Sequence, residues 1–425
     1  MQHSEVAPKF DLDLTQPEPM PQQSIDRATE LMHTGRLFRY GETAPGELND
    51  AAQLERRFAE MLGRQFAAGV NSCGAALFLA LRSSGVRPGD KVLVNGYTLA
   101  PVPGAIEHAG AVPVLVEVTE NCTIDLQDLV RKAIDSGART LLLSHMRGHI
   151  SDMDEVVGIC AKHEITLIED CAHTLGASWN GKLTGTFGAA ACFSLQTFKH
   201  INSGEGGILV TDNEDLAARA ILHSGSYMLY GQHAARPPES SFEKLRGRIP
   251  NYSLRLSALA AALALPQLDL LPGRAERMNA SYRCLEQLLR SVAGVHVIER
   301  PAKEQFIGSS LQFRLPGLSG AQIADFVAIC QVHGLGLKWF GATRMEGFTS
   351  RPSQWEYVAN AKTLPQTEKL LATLCDMRIP PSMEEQHCRQ AAQIITHALR
   401  HTMGTGDRGH AVPGANKSTV TKDQE

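Results

Sequence analysis

No apolar run in these 425 residues approaches the roughly 20 needed to cross a bilayer. Residues 1–23 are polar and proline-bearing and carry no apolar signal-peptide core. The nine cysteines, at 73, 122, 160, 171, 192, 284, 330, 375 and 388, form no CxxC pair, which argues against structural zinc. An odd count without a secretion signal points to reduced thiols in the cytoplasm, most of them small buried apolar residues. Charge of one sign is not in excess: the net charge is −4, and charged residues are 20%. That gives no general electrostatic reason to expect nucleic acid or an anionic membrane as partner. There is no GxxxxGK[ST] motif, and Gly204-Glu205-Gly206-Gly207 lacks the GxGxxG spacing and the early βαβ context of a dinucleotide fingerprint. His145 and His149 stand at i, i+4, but Gly148 intervenes and no HExxH pattern is present. They read as a loop near the mouth of a site, with no metal.

What remains is ordinary in bulk and patterned in detail. Hydrophobic residues make up 43%, as in soluble globular proteins. The length suggests two or more folded units. The first large block alternates short apolar runs with helical stretches. Candidate strands are 91–94, 113–118, 140–144, 165–169, 190–193 and 207–211. Candidate helices include 74–84, 100–109, 125–136 and 152–162, with Asp125 and Asp152 suited to helix N-termini. Such alternation predicts an α/β fold with a mainly parallel sheet, whose ligands sit beyond the carboxyl ends of the strands. Helical patterns over 257–271 and about 274–293 lead into a second unit, which mixes strand (309–315) with helix (319–333, 366–374, 384–401). The expected organisation is a loose arm over 1–23, a large domain over 24–271, a small domain over 272–402 and a disordered tail over 403–425.

The densest signal runs from Asp170 to Gly207. Asp170 ends the apolar run Ile165-Thr166-Leu167-Ile168-Glu169, and Lys199 follows 29 positions later. A glycine-rich turn, Ser203-Gly204-Glu205-Gly206-Gly207, comes next. An acid and an amine offered from neighbouring strand ends are what a pyridoxal 5'-phosphate (PLP) enzyme needs. The lysine forms the Schiff base, and the carboxylate keeps the pyridine nitrogen protonated. The small residues Ser72, Cys73 and Gly74 precede a helical run, where backbone N–H groups can approach a phosphate. Ser194 adds a hydroxyl.

Each residue also has a plainer reading. Lys199 would be a surface loop lysine, Asp170 a cap on its strand end, and His173 a polar core neighbour. The 71–76 stretch would be a tight loop and Ser194 a structural serine. The residues alone leave both readings open.

Together these motifs resemble the DegT/StrS-type aminotransferases, often called nucleotide-sugar aminotransferases, of the fold-type I PLP superfamily. The resemblance covers about 38–271. Residues 70–81 are similar to the family's phosphate loop and helix, and 88–94 with 110–114 to its next βαβ unit. Residues 145–153 are similar to its histidine, glycine and Asp-Met-Asp run. Residues 169–173 match its acid and the Gln or His that follows. Residues 193–199 and 204–207 match its serine, lysine and GEGG segment.

The resemblance implies an aspartate-aminotransferase-like (fold type I) large domain with a mainly parallel seven-stranded sheet, plus a smaller C-terminal α+β domain. It implies PLP as cofactor, with Lys199 as the Schiff-base lysine, Asp170 as the pyridinium partner and His173 beside the ring. Ser72, Cys73, Gly74 and Ser194 would surround the phosphate, and Leu99 would face the ring. It further implies a homodimer in which a partner loop closes each site. Residues 251–257 are similar to that loop, so Ser253 or Arg255 would reach the neighbour's phosphate. The implied reaction is a ping-pong transfer of an amino group from glutamate or glutamine to a keto group of a sugar or sugar-like acceptor.

The chain also departs from the family pattern. Cys73-Gly74 stands where Gly-Thr is frequent, which removes a hydroxyl. Leu99 stands where an aromatic residue often stacks on the ring, with Tyr97 nearby as a substitute. Ser253 replaces a frequent asparagine. Residues 338–341 and 347–351 do not follow the common sugar enzymes. Two alternatives follow. One is a PLP-dependent sugar dehydratase, in which relatives place histidine at the lysine position; here Lys199 holds that position and His200 adjoins it. The other is a non-catalytic regulator or binding protein on the same fold.

Overall fold

The computed structural model of the chain describes residues 7–41, 47–347, 350–358 and 364–404. In chain order its first strands are β1 (Phe66–Val70), β2 (Lys91–Asn95), β3 (Val112–Val116), β4 (Thr140–Ser144) and β5 (Thr166–Asp170). A short hairpin follows, β6 (Ser178–Trp179) and β7 (Lys182–Leu183), then β8 (Ala190–Ser194) and β9 (Gly207–Thr211). All but the hairpin join one sheet of seven strands, in the order β1-β9-β8-β5-β4-β2-β3. The run β8-β5-β4-β2-β3 is parallel, and β9 runs against both of its neighbours.

The strands are continuous apolar runs because both faces of the sheet are covered. Successive side chains go to opposite cores. Val92, Val94, Leu142 and Ile168 pack with the helix Cys73–Ser83 on one face. Leu93, Leu141, Leu143 and Leu167 pack on the other with the helices Leu126–Ser136 and Met153–Lys162. Asp125 and Asp152 do cap those two helices, accepting from Gln127 and Asp128 N–H and from Glu155 N–H.

The expected pattern over 257–271 differs in one respect. Ser257 caps a helix over Ala258–Ala264, which tightens into a 3-10 turn over Leu265–Leu268. Pro266 supplies no N–H for the next helical bond. A second helix, Leu271–Arg290, then begins. Its first part, through Leu271 and Met278, packs with the cores of the large sheet. Its later residues Tyr282, Leu285 and Leu289 enter the C-terminal core.

The C-terminal strands are β10 (His296–Val297), β11 (Glu304–Gln305), β12 (Ser310–Arg314), β13 (Lys338–Trp339) and β14 (Leu374–Arg378). Four form an antiparallel sheet in the order β10-β12-β14-β13, while β11 pairs with β6 of the hairpin. The helix expected over 366–374 stops at Leu371, because 374–378 pair with β12 instead.

Residues 7–21 are packed, where the sequence reading left a loose arm. Phe10 and Leu14 are buried in the C-terminal core, and Phe10 N–H donates to the His333 carbonyl at 2.7 Å. Two large apolar side chains give this segment enough buried area to hold it. The final helix runs over Glu385–Gly404, and the rest of the tail expected to be disordered, from 405 on, lies outside the described residues. Among the described residues no helix is long and apolar enough to cross a membrane.

Candidate active site

Ser144, Asp170 and Ser194 are the last residues of β4, β5 and β8, and β1 ends two residues before Ser72. The parallel arrangement therefore delivers all four to one edge of the sheet. A cavity of about 310 Å³ opens there. Ser72, Cys73, Gly74, Leu99, Asp170, His173, Ser194 and Lys199, all sequence-predicted, line it together.

Asp170 is held on both oxygens. Ser144 Oγ donates to Oδ2 at 2.7 Å, and Ala172 N–H donates to Oδ1 at 3.1 Å. The β4–β5 register places Ser144 directly beside Asp170. Cys73 Sγ lies 4.0 Å from Oδ1.

Lys199 sits on the loop between β8 and β9. That loop is tied shut by Thr197 N–H to the Gly204 carbonyl, Leu195 N–H to that of Gly206, and Ser203 N–H to that of Leu195. Its Nζ lies 2.9 Å from His173 Nε2. Burial, reinforced by the positive charge of Arg147, brings its pKa down to about 8. Burial, then the charges of Lys199 and Arg147, hold His173 well below the usual histidine range, so the imidazole is neutral. A half-buried lysine with a lowered pKa is a nucleophile and a proton carrier near neutral pH.

The helix Cys73–Ser83 points its N-terminus at the same cavity. Ser72 caps it, with Oγ accepting from Ala75 N–H at 3.0 Å. The N–H groups of Cys73 and Gly74, in the first turn, have no intrahelical acceptor, as suits an anion at that helix end. Gly207, the first residue of β9, is in close contact with this turn. A side chain there would collide with the Ser72–Cys73 peptide. The glycine-rich segment thus has a packing reason as well as a turn reason.

Ser253 and Arg255 do not line this cavity. Arg255 Nη1 donates to the Gly225 carbonyl at 3.0 Å, and its guanidinium lies 5.6 Å from the rings of both Phe38 and Tyr227. Ser253 has a left-handed backbone, φ 55°, and its N–H donates to Asn251 Oδ1 at 2.9 Å. Tyr97, the expected substitute for a stacking aromatic, is buried against Phe340 with ring centroids 5.3 Å apart. Leu99 alone of the two lines the cavity.

The 145–149 loop reaches the cavity through Met146, but its histidines are buried rather than at a mouth. His149 Nε2 meets Gln312 Oε1 at 2.7 Å, and His145 Nε2 lies 3.4 Å from Glu169 Oε2. His145, Glu169 and Cys171 bring potential ligand atoms within 4.8 Å of one another. The Glu169 oxygens, however, already accept from Gly185, Phe187 and Gly188 N–H, so the cluster reads as an internal brace.

Sequence reasoning missed Ser144, because its role depends on which strand neighbours β5. It also missed Arg147, a buried residue in a left-handed turn (φ 54°) that pairs with Asp376 at 3.1 Å. The positive φ at a non-glycine residue marks a held position, but no motif announces it.

Comparisons with known proteins agree with this geometry. The chain is 33% identical over 273 residues to a putative L-glutamine:3-amino-2,3-dideoxy-scyllo-inosose aminotransferase of Micromonospora echinospora, covering 64% of this chain and 62% of that one. It is 30% identical over 259 residues to the spore coat polysaccharide biosynthesis protein SpsC of Bacillus subtilis, covering 60% and 63%. The chain thus spans less than two thirds of the length of these relatives. Among solved structures, 3-amino-5-hydroxybenzoic acid synthase superposes with a TM-score of 0.77 at 23% identity, over 93% of this chain and 100% of that one. Helicobacter pylori PseC gives 0.78 at 16%, over 92% and 100%. At those identities the likeness shows the fold, that of fold-type I enzymes. Residues 22–396 match the model of the DegT/DnrJ/EryC1/StrS aminotransferase family, and the chain belongs to that family.

Proposed function

We propose that the protein is a PLP-dependent aminotransferase that moves an amino group from glutamine or glutamate to a keto group of a sugar or sugar-like acceptor. The observation that carries this reading is the meeting of Lys199 and Asp170 across one cavity, with a helix N-terminus beside them. The names of relatives support the donor and acceptor class: one acts on L-glutamine and scyllo-inosose in Streptomyces griseus, at 34% identity.

The residues present fit PLP. Cys73 and Gly74 N–H with Ser194 Oγ would hold its phosphate, Asp170 its ring nitrogen and Lys199 its aldehyde carbon. When bound, the cofactor supplies an electron sink and a store for the amino group. The chain's own residues do the rest. Ser144 fixes the Asp170 carboxylate so that it faces one way. The Lys199 amine would take up and return a proton at the donor carbon, as base and then acid. Neutral His173, 2.9 Å from Nζ, keeps that amine in place without competing for its proton. Leu99 and Leu77 add apolar surface to the cavity lining.

We also infer a homodimer with shared sites, working in the cytoplasm with its nine cysteines as free thiols. The support is an exposed apolar patch around Arg255: Phe38 is 50% exposed, Tyr227 56% and Met228 57%. A second copy covering this patch would bring Arg255 to a neighbouring cavity.

The test is amino transfer from L-glutamine by wild type and Lys199→Ala. Turnover is expected to vanish in the variant while the fold, read by circular dichroism, is unchanged. Full activity in Lys199→Ala would end the proposal.

A further inference from the structure

Phe198, next to the candidate Schiff-base lysine, lines a second cavity of about 420 Å³. This space is lined by Phe198, Lys338, Trp339, Arg344, Asp376 and Arg378, among others. A narrower cavity of about 70 Å³ is lined by both Lys199 and Arg378. Arg378 therefore borders the lysine on one side and the larger space on the other.

The charges in this corner do not balance. The β13–β14 register sets Lys338 opposite Asp376, and Arg378 lies two residues along the same face of β14. Asp376 is already engaged: Gln312 Nε2 donates to its Oδ1 at 2.6 Å, and Arg147 pairs with Oδ2 at 3.1 Å. Lys338 and Arg378 are half-buried, and neither makes a hydrogen bond or ion pair among the described residues. Arg378 instead lays its guanidinium over the Phe198 ring, 3.9 Å from the centroid. The remaining charged lining groups are Arg344 and Glu346, both exposed, and Asp13, whose carboxylate accepts from Thr15. Burial and the nearby Arg147 depress the pKa of both Lys338 and Arg378, against the opposing pull of the Asp376 carboxylate. Two half-buried cations without partners are costly unless an anion joins them.

We propose that Lys338 and Arg378 form an anion-binding subsite that holds a carboxylate or phosphate group of a substrate reacting at Lys199. The inference rests on the aminotransferase reading and adds a requirement to it: one of the two substrates carries a negative charge that this subsite recognises. Arg378 supplies the planar fork suited to either anion, and Lys338 a second positive charge on the same sheet face. The candidate anions are the α-carboxylate of the amino donor and an acidic group on the keto acceptor.

The test uses the full chain with Arg378→Gln, Lys338→Gln and the charge-keeping Arg378→Lys. Calorimetry with inorganic phosphate comes first, since it needs no amino transfer. Wild type is expected to bind phosphate at a site that Arg378→Gln loses and Arg378→Lys keeps; equal binding in all, or none at all, overturns the subsite. The half-reactions then identify the source. L-glutamine and L-glutamate are titrated against the cofactor-loaded form, and an uncharged cyclitol ketone and its phosphate ester against the aminated form. The Gln variants are expected to raise the half-saturating concentration of the anionic probe about tenfold or more in one arm. A shift in the donor arm assigns the donor carboxylate, and a shift for the phosphate ester assigns the acceptor. No shift in either arm, or an equal shift for the uncharged ketone, contradicts the proposal. If wild type binds phosphate as expected but transfers no amino group, the aminotransferase reading fails and the anion subsite does not.

Discussion

Ser144 Oγ donates a hydrogen bond to Asp170 Oδ2 at 2.7 Å, across the register of two neighbouring parallel strands. The acid expected to face the cofactor ring is thus oriented on one oxygen by the sheet itself, and on the other by Ala172 N–H just past the strand end. Asp170→Asn is expected to lower amino transfer at least about 100-fold, because an amide cannot stabilise the protonated ring nitrogen. Ser144→Ala removes one hydrogen bond to a charged group, a loss of about 1.5–3 kcal/mol, and is expected to cost about tenfold or more. Steady-state rates of the two variants check the order; a larger loss in Ser144→Ala would contradict it.

The pKa of Lys199, brought down from its ordinary 10.5 to about 8, sets a pH dependence. Below about 8 the protonated amine increasingly predominates and attack on the cofactor aldehyde slows; above it the amine is mostly free. Cofactor capture by the apoprotein is expected to accelerate as pH rises through about 8 and then level off. Growth of the visible cofactor band gives the rate, and a flat profile through that range would count against the shift. By linkage, the unfolded chain holds a proton on Lys199 between about 8 and 10.5 that the folded chain has released. The apoprotein therefore gains stability from this group as pH rises across that window.

Leu99 lines the cavity in which the proposed cofactor ring would lie. Leu99→Phe is expected to tighten PLP binding by up to about tenfold, from a stacking contribution of about 0.5–1.5 kcal/mol. Equilibrium dialysis measures this directly. Weaker binding would mean that the wall lacks room for a ring.

Gly207 packs on the Ser72–Cys73 peptide so closely that a β-carbon collides with it. Gly207→Ala is expected to destabilise the protein by about 1–3 kcal/mol and to weaken PLP binding by moving the phosphate cradle. Thermal melting and cofactor titration report the two effects separately. An unchanged melting temperature would show that the turn can shift.

Shared sites predict complementation. Lys199→Ala and Arg255→Ala are each expected to be nearly inactive alone. Mixing and reassociation yields dimers with one intact cavity, so activity is expected to return to about a quarter of wild type. No return of activity would place Arg255 outside the neighbour's site.

The residues that line the candidate cavity were legible because they lie at strand ends and in local motifs. Asp170 and Ser194 each end a buried apolar run, Lys199 lies on the loop that follows β8, and parallel topology brings such strand ends together. The edge strand β1 was not legible: Phe66-Ala67-Ala68-Gly69-Val70 is short, small and buried along its length, so it has neither alternation nor β-branched enrichment. β14 was hidden for another reason. Leu374-Cys375-Asp376-Met377-Arg378 does alternate, but it follows a helical stretch without a glycine or proline to mark the break. With β14 went the anion corner. Arg147, Lys338 and Arg378 come from three distant segments, brought together by the β13–β14 pairing and by the Arg147–Asp376 ion pair.

The central claim is that Lys199 carries the cofactor. The direct measurement is borohydride reduction of the PLP-loaded protein, followed by digestion and mass spectrometry. The account predicts loss of the visible band and a single phosphopyridoxyl adduct on Lys199, absent from Lys199→Ala. A label on another lysine, or no label on a protein that keeps its activity, would contradict it.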